Sequence, residues 1–369
     1  MKRMMEKKAT LILMPQLFMG GSERQVRYIA EGLEKQNSPI TVLVENGTGT
    51  EVETKQYISE HKGIRFEFLG LSAINTVDKT VKNKIKSINL IYKWIYQNGK
   101  KYKWVMFTNL TGLLCVPVCK AKGIKILFNE RNPGIKMCNS AIKRKLLKMC
   151  NKVVANSKNA SVYMSTVLGI KVDCINNGIL EKDLPRKVDE ADDLFILVPA
   201  RINPVKNQLV VLKAINELRD KIKVHCCFAG QIENQVYYNE LLDYVKEKNM
   251  SDCVKFPGYV RNIEDLYAMT DIVILSSYEE GTPNVVLEAF LNKKLCLASN
   301  IVMNRDIVVE DEILFNPDDA EMLERKIEWI RLLDEYNKND LLKKQYEFVK
   351  TNYSIEVMQN KYFDIFMEE

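Results

Sequence analysis

The sequence predicts an α/β protein with two doubly wound parallel sheets, one in each half of the chain. The 369 residues are enough for two domains of roughly 100–200 residues each. Short apolar runs alternate with helical patterns along both halves, and strands that alternate with helices form parallel sheets with right-handed crossovers. A turn-forming triplet, Asn176-Asn177-Gly178, lies between the halves, and the polar stretch Glu181–Asp193 follows it as a linker.

In the first half, short apolar runs predict the strands Ala9–Met14, Ile40–Glu45, Ile64–Leu69, Trp104–Phe107, Ile124–Phe128 and Lys152–Ala155. The helical patterns between them are Ser22–Lys35, Lys82–Gln97, Gly112–Ala121 and Ile142–Cys150. Lys82–Gln97 shows the periodicity best, because isoleucines recur along one helical face at positions 85, 88, 91 and 95.

The second half repeats the alternation. Its predicted strands are Leu194–Ala200, Lys223–Ala229, Val254–Phe256, Asp271–Leu275 and Leu295–Ala298. Its predicted helices are Asn207–Leu218, Gln235–Lys246, Ile263–Met269, Pro283–Leu291 and Ala320–Leu333. Ligands of open parallel sheets bind beyond the carboxyl ends of the strands, so two such domains that face each other across a cleft place a ligand between them.

We therefore expect an N-terminal domain over residues 1–178 and a C-terminal domain over residues 179–350. A C-terminal helix within residues 351–369 is expected to pack back toward the N-terminal domain. The composition, 46% hydrophobic and 28% charged, is that of an ordinary globular protein.

Nine scattered cysteines without a CxxC pair indicate neither a disulfide framework nor a zinc site, and they favour the reducing cytoplasm. The basic start and the apolar run Ala9–Met14 are too short for a signal peptide, and no segment is long enough to span a membrane.

Charge is divided unevenly along the chain. Residues 1–180 hold 30 Lys and Arg against 12 Asp and Glu, whereas the remaining residues hold 24 against 36. Lys82–Gln97 combines four lysines with Tyr92, Trp94 and Tyr96, and residues 143–148 add further cations. A basic amphipathic helix with aromatic residues favours an anionic membrane surface as a partner; a solvated basic face is the alternative. No nucleic-acid recognition motif accompanies the charge, so nucleic acid is not expected.

The segment that follows the predicted strand Asp271–Leu275 carries the chemistry. Thr282 suits an N-cap and Pro283 the first position of a helix, so the peptide N–H groups of residues 281–285 would form an anion site. Glu280 and Glu288 are separated by seven residues, which suits two separate hydroxyl-bearing groups on either side of a phosphate. Two solvated glutamates around a capped helix are the alternative interpretation.

These residues resemble the E-x7-E signature of glycosyltransferase family 4, retaining enzymes of the GT-B fold, as found in the synthesis of bacterial surface polysaccharides. The resemblance covers nearly the whole chain. It includes, in order, Gly20-Gly21-Ser22-Glu23, Glu130-Arg131-Asn132-Pro133, Asn177-Gly178-Ile179, Arg201 with Lys206, Phe228-Ala229-Gly230, Phe256-Pro257-Gly258-Tyr259 and Glu280 to Glu288.

The resemblance implies that the N-terminal domain, residues 1–178, binds the acceptor and that the C-terminal domain, residues 179–350, binds the nucleotide sugar. It also implies a role for each matching residue. Glu288 would bind the donor ribose and Glu280 the transferred sugar, while Arg201 and Lys206 would hold the diphosphate as charge develops on it. The remaining donor-binding residues are expected to be Gly20, Gly21, Gly230, Tyr259, Gly281, Thr282, Pro283 and Asn284. No metal or other cofactor is expected, because the two cations and the helix start neutralise the leaving group and no D-x-D segment stands in a metal-binding loop.

One departure from the family concerns the reacting sugar. Many relatives have a histidine after the middle strand, whereas here Asn129-Glu130 occupies that place, and the two histidines of the chain lie elsewhere. Asn129 and Glu130 are therefore candidates for contact with the sugar or the acceptor, with a polar capping loop as the alternative. The usual glycine before Arg201 is replaced by alanine.

The expected reaction is retaining transfer of a hexose or N-acetylhexosamine from a nucleotide diphosphate sugar, UDP-linked, to a glycan or polyprenyl-diphosphate-linked acceptor. Front-face attack needs no enzymatic nucleophile, and none is identified. The expected location is the cytoplasm, at the inner face of the cell membrane. A nucleotide-sugar 2-epimerase of similar architecture and an inactive GT-B partner module are the alternatives, although the shortage of histidine disfavours the epimerase.

Overall fold

The computed structural model describes residues 9–17, 21–47, 51–71, 81–181, 184 and 193–368, with the backbone alone at residues 71, 81–84 and 86. Gly20, the sequence before Ala9, most of the polar stretch Glu181–Asp193 and the side chains of Lys82, Lys84 and Lys86 lie outside this description. The chain divides into two units. Unit 1 comprises residues 1–178 and 355–369, and unit 2 comprises residues 179–354.

Unit 1 contains a seven-stranded sheet in the order β3-β2-β1-β4-β5-β6-β7, and the neighbouring strands are parallel. Its strands are β1 Ala9–Met14, β2 Ile40–Asn46, β3 Ile64–Leu71, β4 Tyr102–Phe107, β5 Lys125–Glu130, β6 Lys152–Ala155 and β7 Asp173–Cys174. The strand order reverses between β1 and β4, which makes their carboxyl ends the switch point of this sheet.

Helices cover both faces of this sheet. They are α1 Gly21–Lys35, α2 Val52–Glu60, α3 Val81–Asn98, α4 Leu110–Leu113, α5 Val116–Ala121, α6 Ile135–Cys138, α7 Ala141–Met149 and α8 Lys158–Leu168. The single helix predicted over Gly112–Ala121 is wrong, because two short helices occupy this region. Asn109 caps the first by accepting from the amide of Gly112, and Pro117 stands in the first turn of the second.

Unit 2 contains a six-stranded parallel sheet in the order β10-β9-β8-β11-β12-β13. Its strands are β8 Leu194–Val198, β9 Val224–Ala229, β10 Val254–Gly258, β11 Ile272–Leu275, β12 Leu295–Ser299 and β13 Leu314–Phe315. Its helices are α9 Gln208–Leu218, α10 Gln235–Glu247, α11 Ile263–Met269, α12 Asn284–Leu291, α13 Val302–Arg305, α14 Ala320–Arg331 and α15 Glu335–Tyr353. The two parallel sheets confirm the predicted doubly wound architecture.

The chain passes from unit 1 to unit 2 after Gly178 and returns before Ile355. On the unit 1 side, the buried amide of Gln25 donates to the carbonyl of Gly178 and accepts from its N–H, both at 2.8 Å. The returning helix α16, Ile355–Met367, packs against α1, where Gln359 donates to the carbonyl of Tyr28 at 2.7 Å. A Cβ at Gly32 of α1 would lie 2.5 Å from Gln359, so this contact needs glycine.

Within the described residues, no helix combines the length and the apolar character needed to cross a membrane.

Candidate functional site

The strand order of unit 2 places its switch point between β8 and β11. β8 pairs with β9 on one side and with β11 on the other, so the connections that leave β8 and β11 diverge at their carboxyl ends. Ligands of doubly wound sheets bind at such a point. The loop that follows β8 contains Arg201 and Lys206, and the loop that follows β11 contains Glu280.

The loop after β8 is held by its own side chains. The Oδ1 atom of Asn203 accepts from the amide of Lys206 at 3.1 Å and caps a 3₁₀ turn at Pro204–Lys206. Asn207 follows in the left-handed region with φ 50°, and the buried Gln208 donates to the carbonyl of Arg201 at 2.9 Å. These contacts fix the backbone that carries both predicted cations.

The ion pair between Lys206 and Glu280 joins the two loops. Lys206 Nζ lies 2.7 Å from Glu280 Oε1, and the two side chains are 15% and 11% exposed. Ser277 donates its hydroxyl to the same Oε1 atom at 2.6 Å, and Ser276 donates to the carbonyl of Lys206 at 2.8 Å. The structure therefore brings together two of the predicted site residues, and both contacts to the Glu280 carboxylate use Oε1.

Arg201 forms an ion pair outside the Lys206–Glu280 contact. Its guanidinium lies 2.6 Å from Glu233, beyond the end of β9, and Asn203 donates to the other oxygen of the same carboxylate. Arg201 and Glu233 are 59% and 45% exposed, so this ion pair is weak compared with a buried one. A guanidinium held by an exposed carboxylate is free to exchange that partner for another anion.

Gly230 lies directly against the loop that carries Arg201. A Cβ built on Gly230 would stand 1.9 Å from the carbonyl oxygen of Ala200 and 2.9 Å from the amide nitrogen of Arg201. The amide of Gly230 donates to the carbonyl of Gly258 at 2.9 Å, which ties together the ends of β9 and β10. Glycine is required here because the neighbouring atoms are backbone.

The start of α12 differs from the prediction. Thr282 is not the N-cap, and Pro283 is not the first helical residue. Pro283 has φ −77° and ψ 68°, and the amide of Asn284 donates to the carbonyl of Thr282 at 2.8 Å, which is the geometry of an inverse γ-turn. The helix therefore begins at Asn284. Thr282 Oγ1 and Asn284 Oδ1 are buried without a hydrogen-bond partner among the described residues.

The other residues predicted in unit 2 lie around this turn. Gly281 is exposed just before it, and the half-buried Glu288 lies in the second turn of α12. Tyr259 follows β10 and is 77% exposed. Tyr259 and Gly281 remain candidates for donor binding because of their positions in these loops.

In unit 1 the predicted residues lie at the carboxyl end of the sheet. Gly21 is the exposed first residue of α1, while Gly20 lies outside the described residues. Asn129 and Glu130 end β5, and adjacent residues of a strand point to opposite faces. Asn129 is fully buried beside Met106, on the face opposite that of Glu130.

Glu130 is a buried carboxylate at 1% exposure. Its Oε1 atom accepts from the backbone amides of Arg131 at 3.0 Å and Asn132 at 2.9 Å, while Oε2 is buried without a hydrogen-bond partner among the described residues. Burial raises the pKa of Glu130 above its ordinary value, and the amides of Asn132 and Arg131 oppose that shift. A carboxyl group in this environment is suited to accept a hydrogen bond from a ligand hydroxyl.

The sequence analysis missed several residues that hold or extend these sites. In unit 2 they are Glu233, which holds Arg201, and Ser277, which holds Glu280. In unit 1 they are Glu45 and Asn109, which are joined by a hydrogen bond of 2.9 Å. Both unit 1 residues stand at the carboxyl end of a predicted strand. A polar residue at that position is the feature of the sequence that could have identified them as candidates.

No group of three or more His, Cys, Asp or Glu side chains is arranged to hold a metal ion in the part of the chain that the structure describes.

Comparison with known proteins locates the chain among glycosyltransferases. Residues 181–347 match the family model of glycosyl transferases group 1. The chain is 22% identical over 342 residues, 88% of the length of each protein, to a Campylobacter jejuni enzyme named GalNAc-alpha-(1->4)-GalNAc-alpha-(1->3)-diNAcBac-PP-undecaprenol alpha-1,4-N-acetyl-D-galactosaminyltransferase. It is 23% identical to the capsular polysaccharide biosynthesis glycosyltransferase CapH of Staphylococcus aureus, over 67% of this chain and 70% of CapH.

Solved structures share the fold. A glycosyltransferase from Rickettsia africae superposes with a TM-score of 0.77 at 21% identity and covers 98% of both chains. Anabaena HepE in complex with UDP and glucose superposes with a TM-score of 0.74 at 16% identity, over 99% of this chain and 100% of that one. The predicted GT-B fold is thereby confirmed. The protein resembles bacterial polysaccharide glycosyltransferases, and its residues 181–347 resemble the glycosyl transferases group 1 family.

Proposed function

We propose that the protein is a retaining glycosyltransferase of surface polysaccharide or glycoconjugate synthesis, with a UDP-linked hexose or N-acetylhexosamine as donor and a glycan or polyprenyl-diphosphate-linked sugar as acceptor. The observation that carries the proposal is the Lys206–Glu280 ion pair at the switch point of unit 2. It combines a cation for the diphosphate with a carboxylate for the sugar, next to the peptide N–H groups at the start of α12. The match to glycosyl transferases group 1 over the same residues supports it.

The chemistry follows from the charges at this point. As the bond between the anomeric carbon and the diphosphate breaks, negative charge grows on the departing phosphate oxygens. Lys206 would stabilise that charge, and Arg201 would add a second cation by leaving Glu233. The acceptor oxygen bonds to the anomeric carbon from the same face, and its proton passes to the departing phosphate oxygen. In this scheme the cations replace a metal ion.

Glu280 would orient the sugar through its Oε2 atom, since Oε1 already accepts from Lys206 and Ser277. Glu288 would bind the ribose from the second turn of α12. The proposed donor site also includes the buried, unpaired oxygens of Thr282 and Asn284, which a bound ligand could satisfy. A polar atom buried without a partner costs stability, so such atoms are expected where a ligand binds.

UDP binding tests the donor site. Saturation at 100 times the dissociation constant stabilises a protein by about 2.7 kcal/mol, which corresponds to a Tm increase of roughly 5–10 °C for a domain of this size. In the Lys206→Met variant we expect the UDP affinity to fall roughly 10- to 150-fold, because a hydrogen bond to a charged group contributes about 1.5–3 kcal/mol. Lys213→Met, an exposed lysine on α9, is the matched control. Equal UDP affinity in the Lys206 variant and the control would refute the proposed donor site.

The reaction itself is tested by product analysis. Incubation of the protein with a panel of nucleotide sugars and lipid-linked acceptors, with and without EDTA, should give a product of unchanged anomeric configuration in both conditions. The Glu280→Ala variant should bind UDP but transfer little sugar. Inversion at the anomeric carbon, dependence on a divalent cation, or an epimerised donor without transfer would contradict the proposed mechanism.

We also propose that the protein works in the cytoplasm at the inner face of the membrane, through the basic surface of unit 1. Helices α6 and α7 lie against each other there and expose Ile135 and Ile142 beside Lys145 and Lys148. Apolar side chains among cations suit an anionic lipid surface, where each basic residue contributes about 1 kcal/mol.

Vesicle binding tests this surface. Phosphatidylcholine vesicles that contain phosphatidylglycerol should bind the wild-type chain, and pure phosphatidylcholine vesicles should not. The double substitution Lys145→Glu and Lys148→Glu should abolish binding, whereas Lys246→Glu with Lys255→Glu, exposed lysines of unit 2, should leave it intact. If the two double substitutions reduced vesicle binding equally, binding would depend on net charge alone, and the proposed membrane-binding surface of unit 1 would be excluded.

A further inference from the structure

Three buried polar side chains connect the carboxyl end of β12 to Glu280, across the end of β11. They are Asn304, Ser299 and Ser277, which are at most 1% exposed, and we call them the buried relay. β11 pairs with β12 on one side and with β8 on the other. The relay therefore reaches the Lys206–Glu280 pair from the side of β11 opposite to the loop that carries Lys206.

The relay begins at Asn304 on α13. Its Nδ2 atom donates to the carbonyl of Ser299 at 2.7 Å and lies 3.3 Å from the hydroxyl oxygen of the same residue. The Ser299 hydroxyl donates in turn to the carbonyl of Ser277 at 2.5 Å. A hydroxyl group has one proton to donate, and an N–H group on its oxygen leaves that proton for another acceptor. The amide of Asn304 thus helps to direct the Ser299 hydroxyl toward Ser277.

Ser277 transmits the contact to Glu280. Its carbonyl oxygen accepts from Ser299, and its own hydroxyl donates to Glu280 Oε1 at 2.6 Å. Lys206 Nζ holds the same Oε1 atom at 2.7 Å. Because one oxygen is fixed by two donors, the carboxylate has a defined orientation, and the direction of its Oε2 atom depends on where Ser277 stands.

The neighbours of Ser277 are tied to the other side of β11. Ser276 donates its hydroxyl to the carbonyl of Lys206 at 2.8 Å, and the amide of Tyr278 donates to the carbonyl of Val205 at 2.8 Å. These contacts lead to the loop after β8, whereas the relay leads to β12. The chain that leaves β11 is held from both sides, so loss of the relay would release one side and let this backbone shift.

Stability alone does not require polar side chains at the positions of Ser299 and Asn304. Replacing both partners of a buried hydrogen bond by apolar groups of the same shape is nearly neutral for stability. Both residues have 0% exposure, so neither reaches a ligand in the site. A role in the reaction must therefore be indirect, through the residues that they hold.

We propose that the buried relay positions Glu280 for the donor sugar, and that it controls binding of the sugar without controlling binding of the nucleotide. Ser299 and Asn304 are then positioning residues at the back of the site. This inference rests on the proposed transferase function and adds the residues that set the geometry of its sugar contact. A misplacement of about 1 Å can reduce a rate on the order of 100-fold, so the orientation of this carboxylate is a sensitive quantity.

Comparing UDP with UDP-sugars separates nucleotide binding from sugar binding. The probes are UDP, UDP-glucose, UDP-galactose and the two N-acetyl derivatives, titrated into the full chain in a calorimeter. The measured quantity is the affinity ratio, the affinity of the most tightly bound UDP-sugar divided by that of UDP. Ser277→Ala and Ser299→Ala should each lower this ratio roughly 3- to 10-fold, because a hydrogen bond to the sugar is weakened, and should leave the UDP affinity unchanged.

Thr270→Val is the matched control in unit 2. It removes another buried side-chain hydrogen bond, 2.6 Å from Thr270 to the carbonyl of Leu266, just before the amino end of β11. This variant should have a lower Tm and an unchanged affinity ratio. A purely structural role of Ser299 would give the same result.

A double-mutant cycle tests whether the relay acts through Glu280. In the Glu280→Ala background, Ser299→Ala should leave the affinity ratio unchanged, because the carboxylate that it positions is gone. The Tm of each variant shows that it is folded at the temperature of the titration. If Ser299→Ala does not fold, Ser277→Ala takes its place in the cycle.

The relay is overturned if Ser299→Ala keeps the wild-type affinity ratio or lowers the affinities for UDP and UDP-sugar equally. It is also overturned if the substitution lowers the ratio by the same factor with and without Glu280. If the wild type binds neither UDP nor any of the UDP-sugars, the proposed function fails and the relay fails with it.

Discussion

Replacing Gly230 with alanine would introduce a Cβ 1.9 Å from the carbonyl oxygen of Ala200, 2.4 Å from its carbonyl carbon and 2.9 Å from the amide nitrogen of Arg201. A carbon and a carbonyl oxygen normally approach to about 3.3 Å, so the two segments must separate by about 1.4 Å. All three neighbours are backbone atoms, and none can rotate away as a side chain would. The ends of β8 and β9 must therefore move apart.

Overpacking of this kind costs about 1–3 kcal/mol, and for a domain of 150–250 residues each kcal/mol lowers Tm by about 2–4 °C. We expect Gly230→Ala to lower Tm by roughly 2–12 °C. Because the displaced backbone carries Arg201, UDP affinity and transfer should fall as well, since a misplacement of about 1 Å can reduce a rate on the order of 100-fold.

Calorimetry with and without UDP measures both effects in one experiment. Gly281→Ala is the matched control for stability, because a Cβ there meets nothing within 4 Å and its φ is not positive. The reasoning is refuted if Gly230→Ala melts at the temperature of the wild type and keeps the full Tm increase with UDP.

Three further outcomes follow from buried groups. Burial raises the pKa of Glu130, so the carboxyl group's contribution to stability is complete below its ordinary pKa of 4.5 and is lost as pH rises through the raised pKa. Glu130→Gln should therefore increase Tm at pH 8, and this gain should shrink toward pH 4.5. A gain in Tm that is independent of pH would contradict this. Gln25→Leu removes both hydrogen bonds to Gly178 and should lower the free energy of unfolding, measured in urea, by about 2 kcal/mol. An unchanged urea midpoint would contradict this and would mean that water satisfies the backbone groups of Gly178. Burial raises the pKa of Cys115 to about 12, so its thiol should resist alkylation at pH 8 until the chain unfolds, and rapid labelling of the native protein would show that this core opens.

Most strands were predictable because they are short apolar runs, and the structure has a strand at every segment that was predicted, with ends that differ by a few residues. The two-residue strands β7 and β13 were not predicted. Helices with mixed composition were harder to predict. The segments that form α2, α8 and α15 gave no clear helical pattern, and α15 has 19 residues with only three buried side chains. The three lie four positions apart on one face, but the middle one is Gln345, so the apolar pattern along the sequence is weak.

The candidate site was predicted in part. The order and spacing of Arg201, Lys206, Glu280 and Glu288 follow from the sequence, and the Lys206–Glu280 contact places two of them together. The sequence did not reveal that Arg201 pairs with Glu233. Glu233 is 32 positions away and comes close to Arg201 only because β8 pairs with β9. The wrong N-cap at α12 has a local cause, since a proline fits both the first helical position and the centre of an inverse γ-turn.

The sequence by itself determined the alternation of strands and helices, the division near Gly178 and the residues at the ends of the central strands, because each is a pattern within a short stretch of chain. Only the tertiary structure decided which of these ends meet. Glu45 and Asn109 are 64 residues apart, and their hydrogen bond exists because β1 inserts between β2 and β4 in the sheet. Strand order is set by the packing of whole units, and local patterns in the sequence do not encode it.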